Sequence, residues 1–156
     1  MELLFNRYQP KRKLGEGGFA EVWLAEDLNK KREVALKILK QLDETSKFRF
    51  KKEYHILSKL NNLGIVKVFE YLQNSHILYS MEFIKGKNIR DYLFSYAWAE
   101  EEKEGPYFIH KEGIEKALEI FYQTANTLHY IHSANIIHRD LKPENIFFDE
   151  VCNYVK

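Results

Sequence analysis

The segment HRDLKPEN, residues 138–145, gathers the densest group of chemically active side chains in the 156-residue sequence. Asp140 could accept a proton from a hydroxyl group, Lys142 could neutralise a transferring anionic group, and Asn145 could offer an amide oxygen to Mg²⁺. Asp, Lys, Pro and Asn are also normal residues of polar surface loops. The segment alone therefore leaves two interpretations open, a catalytic loop and an ordinary surface loop.

A glycine-rich turn, GEGGFA at residues 15–20, lies much earlier in the chain between two predicted strands. Its three glycines lack a Cβ atom, so backbone N–H groups could approach a polyanion closely. A strand is predicted after the turn, which argues against a Rossmann site and a P-loop, because both place the phosphate at a helix N-terminus. A tight hairpin that is merely rich in glycine remains an equal alternative.

Lys37 is the one charged residue within the apolar strand pattern VALKIL. A buried ammonium group needs an anionic partner, or its charge is lost. Glu53 is the preferred partner, because it shares a helix face with apolar residues four and seven positions later. In the alternative interpretation, Lys37 reaches solvent and Glu53 pairs locally with Lys52 or Lys59.

Apolar periodicity predicts about five strands and one helix before residue 84. The predicted helix spans residues 44–60 and would be capped by Thr45 or Ser46. The polar sequence KGKN then marks a hinge or domain boundary. The predicted strands are Tyr8 to Leu14, the run after the glycine-rich turn, EVALKIL, IVKVFEYL and HILYSMEFI, with LNKK as a hairpin loop.

The second half of the chain has a helical character. DYLFSYAW begins a short helix, AEEEKEG at 99–105 is an acidic, solvated loop, and residues 111–133 form a long amphipathic helix. Two short β-like pieces, NIFF and NYVK, follow. One face of the long helix, which we expect to be partly exposed from Ile114 to Leu128, is marked by Ile114, Leu118, Phe121, Ala125, Leu128 and His132.

Composition excludes several classes of protein. With 24 Lys and Arg against 23 Asp and Glu, the net charge of +1 gives no reason to expect nucleic acid or a membrane surface as a partner. Cys152 is the single cysteine, so an internal disulfide and a multi-cysteine metal site are excluded. No apolar run approaches the length of a membrane span, and the N-terminus lacks the pattern of a signal peptide. A cytoplasmic location is expected.

The four features together decide between the alternatives. GEGGFAEV, VALK, a glutamate on the following helix and HRDLKPEN, in this order, resemble the eukaryotic-type protein kinase domain over essentially the whole chain. The resemblance implies an α+β, two-lobed protein-kinase-like fold. Residues 1–84 would form a lobe with a five-stranded antiparallel sheet and one helix, and residues 85–156 an incomplete helical lobe. The Lys-Pro-Glu run after HRDL is similar to the serine/threonine-directed branch.

The resemblance also implies ATP and Mg²⁺ as cofactors, a protein Ser or Thr hydroxyl as acceptor, and a role for individual residues. Lys37, paired with Glu53, would contact the α- and β-phosphates. Asp140 would orient the hydroxyl and accept its proton, Lys142 would neutralise charge near the γ-phosphate, and Asn145 would hold one Mg²⁺. The backbone covering the phosphates would be that of Gly15, Glu16, Gly17, Gly18, Phe19 and Ala20, of which Ala20 replaces the third glycine of the family pattern.

The residues implied around the nucleoside are more scattered along the sequence. Met81 resembles the gatekeeper, and the backbone from Glu82 to Ile84 would meet adenine. Phe147 would occupy the floor of the pocket, where the family usually has an aliphatic residue. The roof would be formed by Leu14, Val22 and Ala35, and the ribose contact by Asn88.

The family's second Mg²⁺ ligand, the Asp of an Asp-Phe-Gly motif, would fall about three residues beyond Lys156. We therefore expect this chain to be an amino-terminal piece of a longer kinase, with negligible activity by itself. One alternative is a non-catalytic, kinase-derived module that binds a nucleotide or a partner. Another is a small-molecule phosphotransferase of kinase-like fold, although such proteins usually lack HRDLKPEN.

Overall fold

The computed structural model describes residues 3–97 and 111–156, which divide into two compact units. The first unit comprises Met1–Asn61 with Val66–Phe83, and the second comprises Asn62–Ile65 with Ile84–Lys156. The acidic loop predicted at 99–105 lies outside the described residues. Within the described ranges, no helix combines the length and the apolar character needed to cross a bilayer.

The first unit is built on a five-stranded antiparallel sheet with the strand order β1-β2-β3-β5-β4. The hairpin loop between β2 and β3 is LNKK, as predicted. β1 runs two residues further than expected, so the glycine-rich turn shortens to residues 17–19. The strands are β1 (Tyr8–Glu16), β2 (Ala20–Asp27), β3 (Arg32–Leu39), β4 (Val68–Gln73) and β5 (Ile77–Glu82).

β3 is the middle strand of this sheet, and apolar side chains cover both of its faces. Val34, Leu36 and Ile38 point to one face, where they pack in a cluster with Leu4 and Tyr8. Leu39 lies on the opposite face in a second cluster. Successive residues of a strand alternate between the two faces. Lys37 therefore lies on the same face as Leu39.

The helix α1 (Glu44–Leu57) covers that second face of the sheet. Its cap is Asp43, not the predicted Thr45 or Ser46, because the Asp43 carboxylate accepts a 3.0 Å hydrogen bond from the backbone N–H of Ser46. The helix ends before the predicted residue 60. Phe50 is its only fully buried residue and packs against Tyr79 of β5.

The second unit combines three short strands with two helices. Its sheet has the order β6-β7-β8, with antiparallel pairs. The sequence KGKN, predicted as a break, contains one of these strands. The elements are β6 (Gly86–Asn88), α2 (Ile89–Ala97), α3 (Lys111–Ser133), a 3₁₀ turn (Pro143–Asn145), β7 (Phe147–Asp149) and β8 (Tyr154–Val155).

The long helix α3 has the predicted bounds, and its apolar stripe is partly exposed, as expected. Ile120, Gln123 and Ile131 are its buried residues, whereas Leu118 and Phe121 are 63% and 73% exposed. At 100° per residue, the buried face is rotated by roughly a third of a turn from the apolar stripe that contains Leu118 and Phe121. Ile120 packs with residues of β7 and β8, and the Gln123 side-chain oxygen accepts a 2.9 Å hydrogen bond from the backbone N–H of Val155.

These observations confirm the predicted fold class. The first unit is a five-stranded antiparallel sheet with one helix, and the second contains the longest helix of the described residues. A three-stranded sheet in the second unit is the main addition to the prediction.

Candidate active site

The glycine-rich turn closes the β1–β2 hairpin with few side chains around it. The backbone N–H of Gly17 donates a 2.8 Å hydrogen bond to the carbonyl oxygen of Ala20. Positions 15 and 18 have open space where a Cβ would stand. The Phe19 side chain, 40% exposed, lies with its ring centroid 5.7 Å from the Lys37 ammonium nitrogen. The turn thus offers exposed backbone next to a cation, which suits an anionic ligand.

Lys37 is paired with Glu53, the partner preferred from the sequence. The Lys37 ammonium donates a 2.5 Å hydrogen bond to Oε1 of Glu53, and both side chains are partly buried. Strand β3 fixes the lysine, and the inward face of α1 supplies the carboxylate. An ammonium group held in this way has a defined direction.

Tyr79 is a member of this group that the sequence interpretation missed. It lies directly opposite Lys37 in the β3–β5 ladder, and its hydroxyl donates a 2.5 Å hydrogen bond to the same Oε1 of Glu53. Burial and the nearby Glu53 carboxylate raise the pKa of the Tyr79 phenol well above its usual range. The signal was present in the alternation of β5, where Ile77, Tyr79 and Met81 share one face.

Three of the residues predicted around adenine fall on the same face of this sheet as Lys37. Directly opposed residues share a face in an antiparallel pair. Val22 is opposite Lys37, and Ala35 is opposite Met81. Leu14 lies beside the irregularity between Lys13 and Gly15 at the end of β1 and is 36% exposed. The register therefore places three of the predicted residues, Val22, Ala35 and Met81, on the same face as Lys37.

Glu82 is held by its backbone and its side chain at the end of β5. Its N–H donates to the carbonyl oxygen of Lys67 at 2.9 Å, and its carboxylate accepts from the N–H of Lys67 at 2.7 Å. Ile84 belongs to the second unit and is half-buried. Their predicted contact with adenine stays a prediction.

In the second unit, Asn145 and Asp140 of HRDLKPEN are bound to each other. The Asn145 amide nitrogen donates to the Asp140 carboxylate at 2.8 Å and to the Asp140 carbonyl oxygen at 2.9 Å. The Lys142 ammonium lies 3.6 Å from the same carboxylate. The 3₁₀ turn brings Asn145 back towards Asp140. The three residues therefore form one cluster in which a carboxylate, a cation and an amide oxygen are exposed together.

The cluster is attached to the start of α2. The Arg90 guanidinium lies 3.1 Å from the Glu144 carboxylate, and the N–H of Ile89 donates to the carbonyl oxygen of Ile146 at 2.8 Å. Arg139 adopts a left-handed backbone conformation with φ 67°, an uncommon state for a residue with a side chain. The loop is thus an exposed segment that is held at its end by defined contacts to α2.

Asn88 and Phe147 are opposite each other in the β6–β7 ladder. The Asn88 amide nitrogen donates to the Asp91 carboxylate at 2.8 Å, and its oxygen accepts from the N–H of Asp91 at 2.9 Å. The side chain therefore caps α2. Its ribose contact and the floor role of Phe147 stay predictions.

The donor atoms at Asn145 fit Mg²⁺. Because its amide nitrogen is committed to Asp140, its side-chain oxygen is the atom left for a ligand, and the Asp140 carboxylate adds a second hard oxygen nearby. Among the described residues, no group of three or more His, Cys, Asp and Glu side chains could hold a metal ion. A metal here would therefore need ligands beyond these side chains, as Mg²⁺ has when it binds phosphates and water.

Comparisons with known proteins agree with the sequence resemblance. The Protein kinase domain family matches residues 8–156. The chain is 34% identical over 151 residues to the serine/threonine-protein kinase PrkC of Bacillus subtilis, covering 94% of this chain and 21% of that protein. It is 37% identical over 144 residues to the serine/threonine-protein kinase PknD of Chlamydia pneumoniae, covering 90% and 15%.

A third relative, the serine/threonine-protein kinase pkn2 of Myxococcus xanthus, is 34% identical over 152 residues, covering 95% of this chain and 17% of that protein. The chain thus spans about a fifth or less of the length of these curated relatives. The family match covers nearly every residue and includes both the Lys37 and the Asp140 clusters. The three relatives described above are each named as serine/threonine-protein kinases. The chain belongs to the protein kinase domain family, and its relatives place it with the serine/threonine kinases.

Proposed function

We propose that this chain is the ATP-binding and catalytic-loop portion of a longer serine/threonine protein kinase. The reaction is the transfer of the γ-phosphoryl group of ATP to a Ser or Thr hydroxyl of a protein, with ADP as the other product. Support comes from the family, from the names of the relatives and from the two clusters of residues. A cytoplasmic location and the absence of a nucleic-acid partner stay predictions.

In the first unit, the chain's own residues would bind and orient the triphosphate. Residues 17–19 of the glycine-rich turn are exposed, and their backbone N–H groups would donate to phosphate oxygens. Lys37, whose direction is set by Glu53 and Tyr79, would neutralise charge on the α- and β-phosphates. The apolar surface around Val22, Ala35 and Met81 would pack against adenine.

In the second unit, Asp140 would orient the acceptor hydroxyl and take its proton as the new O–P bond forms. Lys142 would neutralise negative charge that develops on the transferring group. Asn145 would hold Mg²⁺, which when bound neutralises phosphate charge. Phosphoryl transfer depends almost entirely on such positioning and charge neutralisation.

The observation that carries this proposal is the double hydrogen bond from Asn145 to Asp140, with Lys142 beside it. These contacts bring an exposed carboxylate, cation and amide oxygen together within one short segment, which suits the three roles proposed for them.

Nucleotide binding is tested on the chain itself by thermal unfolding with and without Mg²⁺ and ATP. Saturating ligand should raise the melting temperature of the wild-type chain by about 5 °C. Lys37→Ala should lose most of this rise. Lys11→Ala is the control, since Lys11 is an exposed lysine on the same sheet that pairs only with Glu26 and Glu33. An equal rise in the wild-type chain and Lys37→Ala would contradict the assigned site.

Phosphoryl transfer is tested on the longer product of the gene, with γ-labelled ATP and a general Ser/Thr protein substrate. Asp140→Asn should lower kcat by at least about a hundredfold, because it removes the base while preserving shape. If the longer product binds ATP but never labels Ser or Thr, the alternative of a non-catalytic nucleotide-binding module is favoured.

A further inference from the structure

The two residues directly after β3 hold the glycine-rich turn in place. The backbone N–H of Lys40 donates a 2.8 Å hydrogen bond to the carbonyl oxygen of Phe19. The Gln41 side-chain amide donates to the carbonyl oxygen of Gly18 at 3.3 Å. The Lys40 ammonium donates to Oε1 of Glu16 at 2.5 Å. The turn is therefore fastened by three contacts to a segment that continues the buried middle strand.

Glu16 is the side chain through which the charged contact is made. It stands between Gly15 and Gly17, and its second oxygen accepts a 2.5 Å hydrogen bond from Lys13. Hydrogen bonds from Lys13 and Lys40 lower the pKa of the Glu16 carboxyl to about 2. The carboxylate thus stays ionised at neutral pH and can hold both lysines at once.

The turn has little else to hold it. Gly17 and Gly18 are exposed, and Phe19 is 40% exposed, so no side chain of residues 17–19 is buried in the core. An exposed ion pair ordinarily contributes little, since solvent and salt screen it. Residues 17–19 have almost no packing of their own. A few weak contacts can therefore account for most of the stability of their backbone conformation.

We propose that Lys40 and Gln41 are positioning residues that, through Glu16, Gly18 and Phe19, hold the glycine-rich turn in the conformation that binds the phosphates of a nucleoside triphosphate. Neither residue touches the ligand in this role. The tether itself is a property of the ligand-free chain. Its effect on nucleotide affinity rests on the proposed function.

The tether is tested first without nucleotide, by hydrogen exchange measured by NMR at single residues. The reporter is the N–H of Gly17, which is hydrogen bonded within the turn. Lys40→Gln should make this amide exchange about two to five times faster, the range expected for loss of an exposed ion pair. Lys40→Arg should restore the wild-type exchange rate. In 1 M salt, the Gly17 exchange rate of the wild-type chain should approach that of Lys40→Gln, because salt screens the ion pair.

Lys11→Gln is the matched control, because Lys11 makes exposed ion pairs on the same sheet but none to the turn. Lys11→Gln should leave the exchange rate of the Gly17 amide unchanged. Every variant should leave the exchange rates of the amides in the β2–β3 ladder unchanged. Unchanged Gly17 exchange in Lys40→Gln would overturn the tether.

Calorimetric titration with Mg²⁺ and ATP then separates the tether from the proposed function. The Kd should rise about two- to fivefold in Lys40→Gln, in parallel with the exchange, and return to wild type in Lys40→Arg. Faster Gly17 exchange with an unchanged Kd would overturn the positioning role. If the wild-type chain does not bind ATP at all, the proposed function and the positioning role both fall, whereas faster exchange would still support the tether.

Discussion

Tyr79 and Lys37 donate to the same carboxylate oxygen of Glu53, each at 2.5 Å. One donor comes from β5 and the other from β3, and they are directly opposite in the ladder. The carboxylate is therefore held by two neighbouring strands while its own backbone belongs to α1. This arrangement makes Tyr79 part of the support for the Lys37–Glu53 pair.

Tyr79→Phe should destabilise the first unit by about 2 kcal/mol, because it removes a hydrogen bond to a charged group at a buried site. Urea unfolding followed by circular dichroism measures the change. Tyr71→Phe is a suitable control, since the Tyr71 hydroxyl makes a 3.4 Å contact with exposed Gln73 and should cost less than about 0.5 kcal/mol. Equal costs for the two variants would mean that the Glu53 contact adds no stability.

The buried ion pair between Arg7 and Asp27 should make stability depend on acid. The Arg7 guanidinium donates to both Asp27 oxygens at 2.8 Å, and the Asp27 side chain is 1% exposed. The hydrogen bond from Arg7 lowers the pKa of Asp27 below its usual value of 3.8. Its contribution to stability is thus fully present above the ordinary carboxyl pKa and is lost as the pH falls through the lowered folded value.

Asp27→Asn should therefore lower the free energy of unfolding by about 3 kcal/mol at pH 7, because it breaks a buried ion pair. The difference between the two proteins should become progressively smaller below about pH 4. Urea unfolding of both proteins between pH 7 and pH 2.5 measures this. A difference that stays constant over the whole range would show that Asp27 stabilises the fold by packing and not by charge.

Gly86→Ala should destabilise the second unit by about 3 kcal/mol. A Cβ at this position would run into the backbone carbonyl of Phe148 in the paired strand β7, and backbone cannot move aside as a flexible side chain can. Gly18→Ala is the control, because open space surrounds its Cβ position. Thermal unfolding should show a clear loss for the first variant only.

Asn145→Ala should reduce by about tenfold the factor by which Mg²⁺ increases the affinity for ATP. The variant removes the proposed metal oxygen and both hydrogen bonds to Asp140. ATP titrations at graded Mg²⁺ concentrations measure the effect. Asn126→Ala, an exposed asparagine on α3, should behave as wild type. Loss of ATP binding without Mg²⁺ as well would place Asn145 in the nucleotide contact and not at the metal.

The elements of the first unit were predictable because their signals are local. β-forming runs separated by polar turns gave the strands, and the isolated charge of Lys37 in an apolar strand required an acidic partner on the next helix. Tyr79 was missed because its role depends on register, which single strands do not reveal. The Asp43 cap was missed because three candidate capping residues lie within four positions.

The second unit was harder to predict for a different reason. The spacing of Leu118 and Phe121 marks an apolar stripe, yet the side of α3 that is covered depends on where Phe148 and Val155 lie. The hydrogen bond from Val155 to Gln123 selects a polar residue for the buried face. β6 escaped prediction because it is three polar or glycine residues long and exists only through its pairing with β7.

Because β3 is more deeply buried than α1, the backbone of Lys37 should move less easily than the backbone of Glu53. The lysine stands on a strand that is packed on both faces and bonded on both edges, so its backbone is stiff. The glutamate stands on a helix with one fully buried residue, which can shift at a smaller free-energy cost. Displacements that open the pair should therefore originate in the helix, and the population of the closed pair reports the position of α1.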